Sequence, residues 1–369
     1  MHASSTPRLL LLAPLLFACA TTPGGSPDPE CPIPGGVRVD ELIREGEVHF
    51  AKLWRLTWEG ENAEAYWNPD GDRLVFQRRW EGVDCDRIFV TRPDGSIQNQ
   101  ISDGRGTTTC AYFLPDGRHV LFGSTGAVQE SCPPGPDMSY GYAWAIHPEF
   151  DIYLQDLETG ATRPFITGPG YDTEATVSPT GDRIVFTSTR SGDLELWTCD
   201  IDGGDLRQVT DELGYDGGAF FSHDGEWLVF RSTAFDESRE IAGRAKYQEL
   251  LANDVIRPHS MEIQVVRRDG SERKQVTRLG KANWAPYFFP SDDRIIFCTN
   301  HHSSDGEARM NFDLFAIDVD GTDLERITYE DSFDSFPMFS PDGKYLVFGS
   351  NRGAIVPSDT NLFIAEWRE

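Results

Sequence analysis

Six polar residues stand seven positions ahead of six recurring turn phrases: Asn62, Thr108, Asp172, Asp216, Asn283 and Asp334. Oxygen-bearing side chains at one position of a closed repeat would form a ring. Such a ring can hold a divalent cation, a basic peptide tail or a polar ligand. The same side chains can instead bond backbone N–H groups of their own turns. Beside them lie Glu64 and Glu174 with Tyr171, Tyr215, Trp284 and Phe333, and further on Arg78, Arg79, Arg190, His301, His302 and Arg352. Acids, aromatics and a few cations suit recognition of a protein or peptide. The candidate binding residues are therefore Asn62, Glu64, Asp172, Glu174, Asp216, Asn283, Trp284, His301, Asp334 and Arg352. No catalytic residue is assigned. A hydrolase or lyase working through these carboxylates would need two of them in one cleft with separated pKa values, and the sequence does not pair them. The adjacent His301 and His302 lack further metal-ligand spacing. No cofactor is expected, and a divalent cation within the ring stays open.

The elements that would position these residues repeat. An apolar-aromatic stretch meets Pro-Asp-Gly or a variant, then a strand ending in Phe. The copies are anchored at Pro69, Pro115, Pro179, His223, Pro290 and Pro341, spaced 46, 64, 44, 67 and 51 residues apart. Proline presets φ and Asp-Gly supplies a tight reversal, so each phrase reads as a hairpin. A third strand precedes a second Asp-Gly-type turn, as at Pro93-Asp94-Gly95, and a fourth ends in Thr or Ser, as at Ser102, Thr167, Thr210, Thr277 and Thr328. Four strands per unit with a basal period in the forties predict an all-β chain: a six-bladed β-propeller of four-stranded antiparallel blades. The last blade lacks a fourth strand at the C-terminus. Residues 49–57, ending Arg55-Leu56-Thr57, match that strand and are expected to complete it, closing the ring. In a propeller, the loops that enter first strands and leave second strands share the channel-mouth face, which places the candidate residues there. Two insertions also leave second strands, near residues 126–150 and 234–260. The second carries a helical pattern over residues 238–252, with Ile241, Ala245 and Leu251 on one face and Asp236 or Ser238 as cap.

The formal charge is −27, which repels phosphate backbones and anionic headgroups and excludes nucleic acid as a partner. Residues 1–18 pair Arg8 with a ten-residue apolar run and read as a signal peptide, too short to span a bilayer. Leu16-Phe17-Ala18-Cys19 resembles a bacterial lipobox, which implies lipidation at Cys19. An ordinary signal cut near Ala18 or Ala20 is the other reading. Residues 19–36 are expected to be a flexible tether, and residues 37–369 the propeller. Export permits disulfides. Cys85, Cys110 and Cys132 fall in loops of one face and are the candidates, as Cys85–Cys110 or Cys110–Cys132. Cys199 and Cys298, inside apolar strands, read as buried thiols.

The phrase Phe339-Ser340-Pro341-Asp342-Gly343 with Leu346-Val347-Phe348 and Ser350-Asn351-Arg352 resembles the repeat of the TolB-like, or WD40-like (PD40), propellers of exported bacterial proteins. The resemblance covers about residues 48–369. It implies a non-enzymatic binding role on the periplasmic side of the cell envelope. The partner would be an envelope protein or peptide, and the membrane contact, at the outer membrane, would run through the lipid anchor alone. The motifs specify fold more than function.

Overall fold

All six turn phrases close with the same backbone bond. The N–H groups of Gly71, Gly117, Gly181, Gly225, Asp292 and Gly343 each donate to the carbonyl three residues earlier, at 2.8–3.0 Å. All six residues have positive φ, between 62° and 74°. Glycine reaches that region without strain, and aspartate is among the few others that tolerate it. In blade 5, Asp292 replaces the glycine and bonds the turn of blade 4, where His223 replaces the proline. Its carboxylate accepts from the N–H groups of His223 (2.7 Å) and Asp224 (2.9 Å) and lies 2.8 Å from His223 Nδ1.

The computed structural model describes residues 25–91, 99–139, 141–304, 311–331 and 333–369. The hairpins build six antiparallel sheets. The innermost strands are Glu61–Trp67, Thr108–Phe113, Asp172–Val177, Asp216–Phe221, Asn283–Phe288 and Asp334–Phe339, one for each of blades 1 to 6. Five blades have four strands. The sixth has five, because Phe50–Arg55 pairs with Asn361–Trp367 and Val37–Arg38 pairs outside it. The phenylalanines of the second strands, Phe76, Phe122, Phe186, Phe230, Phe297 and Phe348, are buried and contribute large apolar area to the core.

The fourth-strand hydroxyls have a defined task. Ser102, Thr210, Thr277 and Thr328 accept from the N–H groups of Ile88, Leu196, Ile263 and Leu314 in their own blades, at 2.8–3.1 Å. Thr57 does the same for Leu362, 305 residues away, at 2.9 Å. The amino-end strand therefore completes blade 6 by the bond the other blades use.

Residues 1–24, with the signal peptide and Cys19, lie outside the described residues, as do Pro93, Asp94 and Gly95. The stretch 28–36 is not a tether. Ile33 and Cys31 are buried, and Asp28 accepts from the Trp54 indole at 3.0 Å. An apolar plug and a satisfied indole hold it on the outer edge of blade 6. The second insertion does form a helix, Glu240–Leu251. Its inward face differs from the expected one: Ile241 is exposed and Tyr247 is the buried residue. The Tyr247 hydroxyl donates to Asp193 at 2.5 Å, and this bond orients the helix. The two insertions meet, Trp144–Ala145 pairing with Val255–Ile256.

Candidate functional site

Of the six equivalent polar residues, Asn62 and Thr108 touch the wall of the channel mouth, and Asp172, Asp216, Asn283 and Asp334 do not. All six are buried, and each is committed locally. Asp172 takes a two-oxygen contact from Arg190 at 2.8 and 2.9 Å, and Asp216 one from Arg273 at 2.6 and 2.9 Å. Asn62 and Asn283 donate to the carbonyls of Thr360 and Met261 at 2.8 and 2.7 Å. Thr108 donates to the Asp86 carbonyl at 2.9 Å. Asp334 accepts from Arg352 at 2.8 Å, and Arg352 also bonds Glu47 at 3.0 and 3.1 Å. Arg352, Asp334 and Glu47 thus tie the amino-end segment to blade 6 and offer nothing to a ligand. Burial forces this arrangement, because an unpaired carboxylate or amide inside a blade costs several kcal/mol, roughly.

The channel is lined two residues further on. Each innermost strand carries a β-bulge whose residue has positive φ: Glu64 (52°), Cys110 (51°), Glu174 (58°), Gly218 (61°), Ala285 (48°) and Phe336 (54°). A bulge re-aims its side chain, here toward the axis. Five of these six line a small axial cavity, and Phe336 lines the wider mouth above it. At the other end the channel is plugged. Phe220 packs against Tyr66 and Tyr287, each at 5.3 Å, and Tyr66 packs against Tyr112 at 5.8 Å.

The mouth is a cavity of about 530 Å³. Of the candidate residues, Asn62, Glu64, Glu174 and Trp284 lie in its wall, with Tyr171, Tyr215 and Phe333. Asp172, Asp216, Asn283, His301, Asp334 and Arg352 do not. His301 packs on Phe315, ring centres 4.8 Å apart, and burial lowers its pKa, with His302, Lys281 and Arg326 adding to the fall. Trp284 is stacked on Phe312 at 4.5 Å and donates to the Pro258 carbonyl at 2.8 Å.

Two carboxylates at the axis differ sharply. Glu174 is saturated. It accepts from Thr187 (2.6 Å), Tyr215 (2.8 Å) and the Gly218 N–H (3.0 Å), and pairs with the Arg231 guanidinium. Arg231 reaches it from the second strand of blade 4, with Trp144 over its charge at 4.9 Å. The reach needs Gly217 and Gly218. A Cβ on Gly218 would stand 2.8 Å from the Arg231 guanidinium carbon, and one on Gly217 would stand 2.6 Å from a Glu174 oxygen. Glu64 carries no ion pair among the described residues. Burial pushes its carboxyl up to about 7; the Cys110 thiol and Arg231 pull it down, and Glu174 adds to the rise. Asp86, also in the mouth wall, is pushed up to about 6 by burial, with Arg79 opposing.

Arg231, Cys110 and the glycine pair are site residues that sequence reasoning missed. A signal existed: the residue after each second-strand Phe is Gln77, Gly123, Thr187, Arg231, Cys298 or Gly349, and only one is charged. The disulfide joins Cys85 to Cys132. Both expected pairings contained Cys110, which is instead a free thiol, because its bulge turns it to the axis. Cys199 and Cys298 are buried thiols. Among the described residues no group of three or more His, Cys, Asp and Glu is placed to hold a metal ion, and no helix is long and apolar enough to cross a membrane.

No protein-family model matches the chain. An uncharacterized protein of Agrobacterium fabrum is 26% identical over 318 residues, which cover 75% of this chain and 80% of that one. A protein designated TolB from Agrobacterium tumefaciens superposes with a TM-score of 0.52 and 19% identity, covering 84% of this chain and 91% of that chain. A gluconolactonase from Xanthomonas campestris superposes with a TM-score of 0.55 and 15% identity, covering 88% and 94%. These likenesses establish the six-bladed propeller fold.

Proposed function

We propose that the chain is an envelope binding propeller that captures a cationic group of a protein or peptide at its channel mouth. The carrying observation is Glu64: an axial carboxyl with no ion pair among the described residues, walled by aromatic rings in a cavity closed at its far end. A lysine, arginine or terminal amine supplies the missing charge, and aromatic faces favour cations. The net charge of −27 steers such a partner inward. Export, a lipid at Cys19 and residence on the periplasmic side of the outer membrane complete the reading; the lipobox resemblance supports them.

Selection of a random dodecapeptide library on the purified chain tests this. Enriched peptides carry Lys or Arg, and Glu64→Gln weakens them at least tenfold at pH 8. Selected peptides without cations, or equal binding by Glu64→Gln, overturn the reading.

One observation favours a second reading. A carboxyl held near neutrality is suited to general acid–base work, so a hydrolase or lyase acting through Glu64, with or without a divalent ion, is the alternative. Glu174, bonded on both oxygens, does not serve as its partner. Turnover of aldonolactones, with or without added Mg²⁺, Mn²⁺ or Ca²⁺, that is lost in Glu64→Gln would replace the first reading.

A further inference from the structure

The cap over the mouth leaves one side open. The insertion of blade 2 is fastened to blade 1 by Cys85–Cys132. It is fastened to the insertion of blade 4 by the Trp144–Ala145 pairing and by the Ile146 N–H, which donates to the Asp254 carbonyl at 2.7 Å. Trp144 packs on Tyr215 of blade 4 at 5.8 Å and on Trp284 of blade 5 at 5.5 Å. Toward the seam of blades 1 and 6 the mouth instead continues into a rim groove of about 610 Å³. The two cavities share Glu61, Arg79 and Asp84 in their walls.

We infer that this seam groove is a second subsite, which takes the basic and apolar residues flanking the cation held at the mouth, so that the ligand is an extended peptide leaving between blades 1 and 6. The inference rests on the reading of the mouth given above. The groove's chemistry is its own. Glu59, Glu81 and Asp359 line it beyond the shared residues. Glu81, Asp84 and Asp359 carry no ion pair among the described residues, whereas Arg79 is already paired with Glu61. An unneutralised acidic wall favours basic residues. Trp80, half-buried, gives the groove an aromatic face, and Val356, 49% exposed, an apolar edge. Where groove and mouth meet, Asn62 adds a demand for a donor. Its amide nitrogen is used by the carbonyls of Glu59, Gly60 and Thr360, and its Oδ1 is buried with no hydrogen-bond partner. A peptide supplies N–H donors along its backbone, and a compact cation does not.

The test takes the tightest dodecapeptide selected on the full chain, fluorescently labelled, and a truncated version keeping its cationic residue and one neighbour on each side. Anisotropy titrations compare three variants. Glu81→Lys/Asp359→Lys changes the groove. Glu64→Gln changes the mouth. Asp211→Lys/Glu212→Lys reverses two exposed charges elsewhere on the face. The groove variant is expected to weaken the dodecapeptide at least tenfold and leave the truncated peptide within twofold. Glu64→Gln weakens both, and the distant reversal weakens neither. An unchanged dodecapeptide in the groove variant overturns the second subsite while the mouth reading stands. Equal weakening by the distant reversal also overturns it, as a general field effect. If Glu64→Gln weakens neither peptide, the mouth reading fails and the seam subsite with it.

Discussion

Glu64 differs from Glu174, the other acid at the axis, in carrying no ion pair among the described residues. Glu174, one blade beyond Cys110, sits at the equivalent bulge and is neutralised by Arg231. The same strand geometry thus yields one committed carboxylate and one available one, and the difference lies in which second strand carries an arginine. The open group sets a pH dependence. Its carboxyl, pushed up to about 7 by burial, is mostly protonated at pH 6 and mostly ionised at pH 8. A bound cation favours the ionised form, so binding at pH 6 must release a proton. If only the ionised form binds, affinity for a Lys-bearing peptide rises about tenfold from pH 6 to pH 8. Calorimetry in buffers of different ionisation enthalpy reads the released proton directly. Glu64→Gln should show neither the rise nor the release. A rise that persists in that variant assigns the linkage to another group, with Asp86 the first to test.

At the level of elements, the exchanged turns of blades 4 and 5 make a specific case. In blades 2 and 3, and again in blades 5 and 6, a turn glycine faces the proline of the preceding blade: a Cβ on Gly181 or Gly343 would lie 3.0 Å from Pro115 or Pro290. Between blades 4 and 5 this contact becomes a set of hydrogen bonds, possible only because His223 has the N–H that proline lacks. Asp292→Gly should therefore cost about 1–3 kcal/mol in urea denaturation, since it strands the donors of His223 and Asp224. Adding His223→Pro should return most of the loss. Each phrase was readable in sequence because its chemistry is local: proline, aspartate and glycine act within four residues. The closing strand was readable for the same reason, through the threonine that ends it. The channel ring was not. Its residues are Glu, Cys, Glu, Gly, Ala and Phe, which share a backbone bulge and no side-chain chemistry. The shared polar chemistry sits two residues earlier, where the blade interior requires it. The tether and the helix face failed through contacts far away in sequence, at Trp54 and Asp193.

For the molecule as a whole, the weak point of a ring is where the two chain ends meet, and here an ion cluster reinforces it. Arg352, Glu47 and Asp334 have no solvent exposure in their side chains. Arg352 belongs to blade 6 proper, and Glu47 to the segment leading into its last strand. Replacing Arg352 by Met keeps much of the volume but leaves two buried carboxylates without a cation, a loss of about 3–5 kcal/mol. The pH course of that loss has a definite sign. Burial pushes the Asp334 carboxyl up to about 6 even though Arg352 opposes it, with Asp313 and Glu47 adding to the rise. A carboxyl whose folded value lies above its unfolded one holds its proton more tightly in the native state. Its contribution to stability is present at low pH and is lost as pH rises from about 4 through about 6. Without Arg352 the Asp334 carboxyl loses the group that opposes its rise, so the deficit of the variant should be largest at pH 8 and shrink at pH 5, where protonation removes unpaired charge. Because the ring closes through this blade, the deficit should appear in the single global transition rather than as fraying of one edge. Thermal unfolding of Arg352→Met and of Arg352→Met/Glu47→Gln/Asp334→Asn at both pH values decides it. The triple variant should regain most of the stability and lose the difference between pH 5 and pH 8. A deficit of equal size at both pH values would mean that Arg352 contributes through packing alone, and that closure rests on the strand pairing of Phe50–Arg55 with Asn361–Trp367.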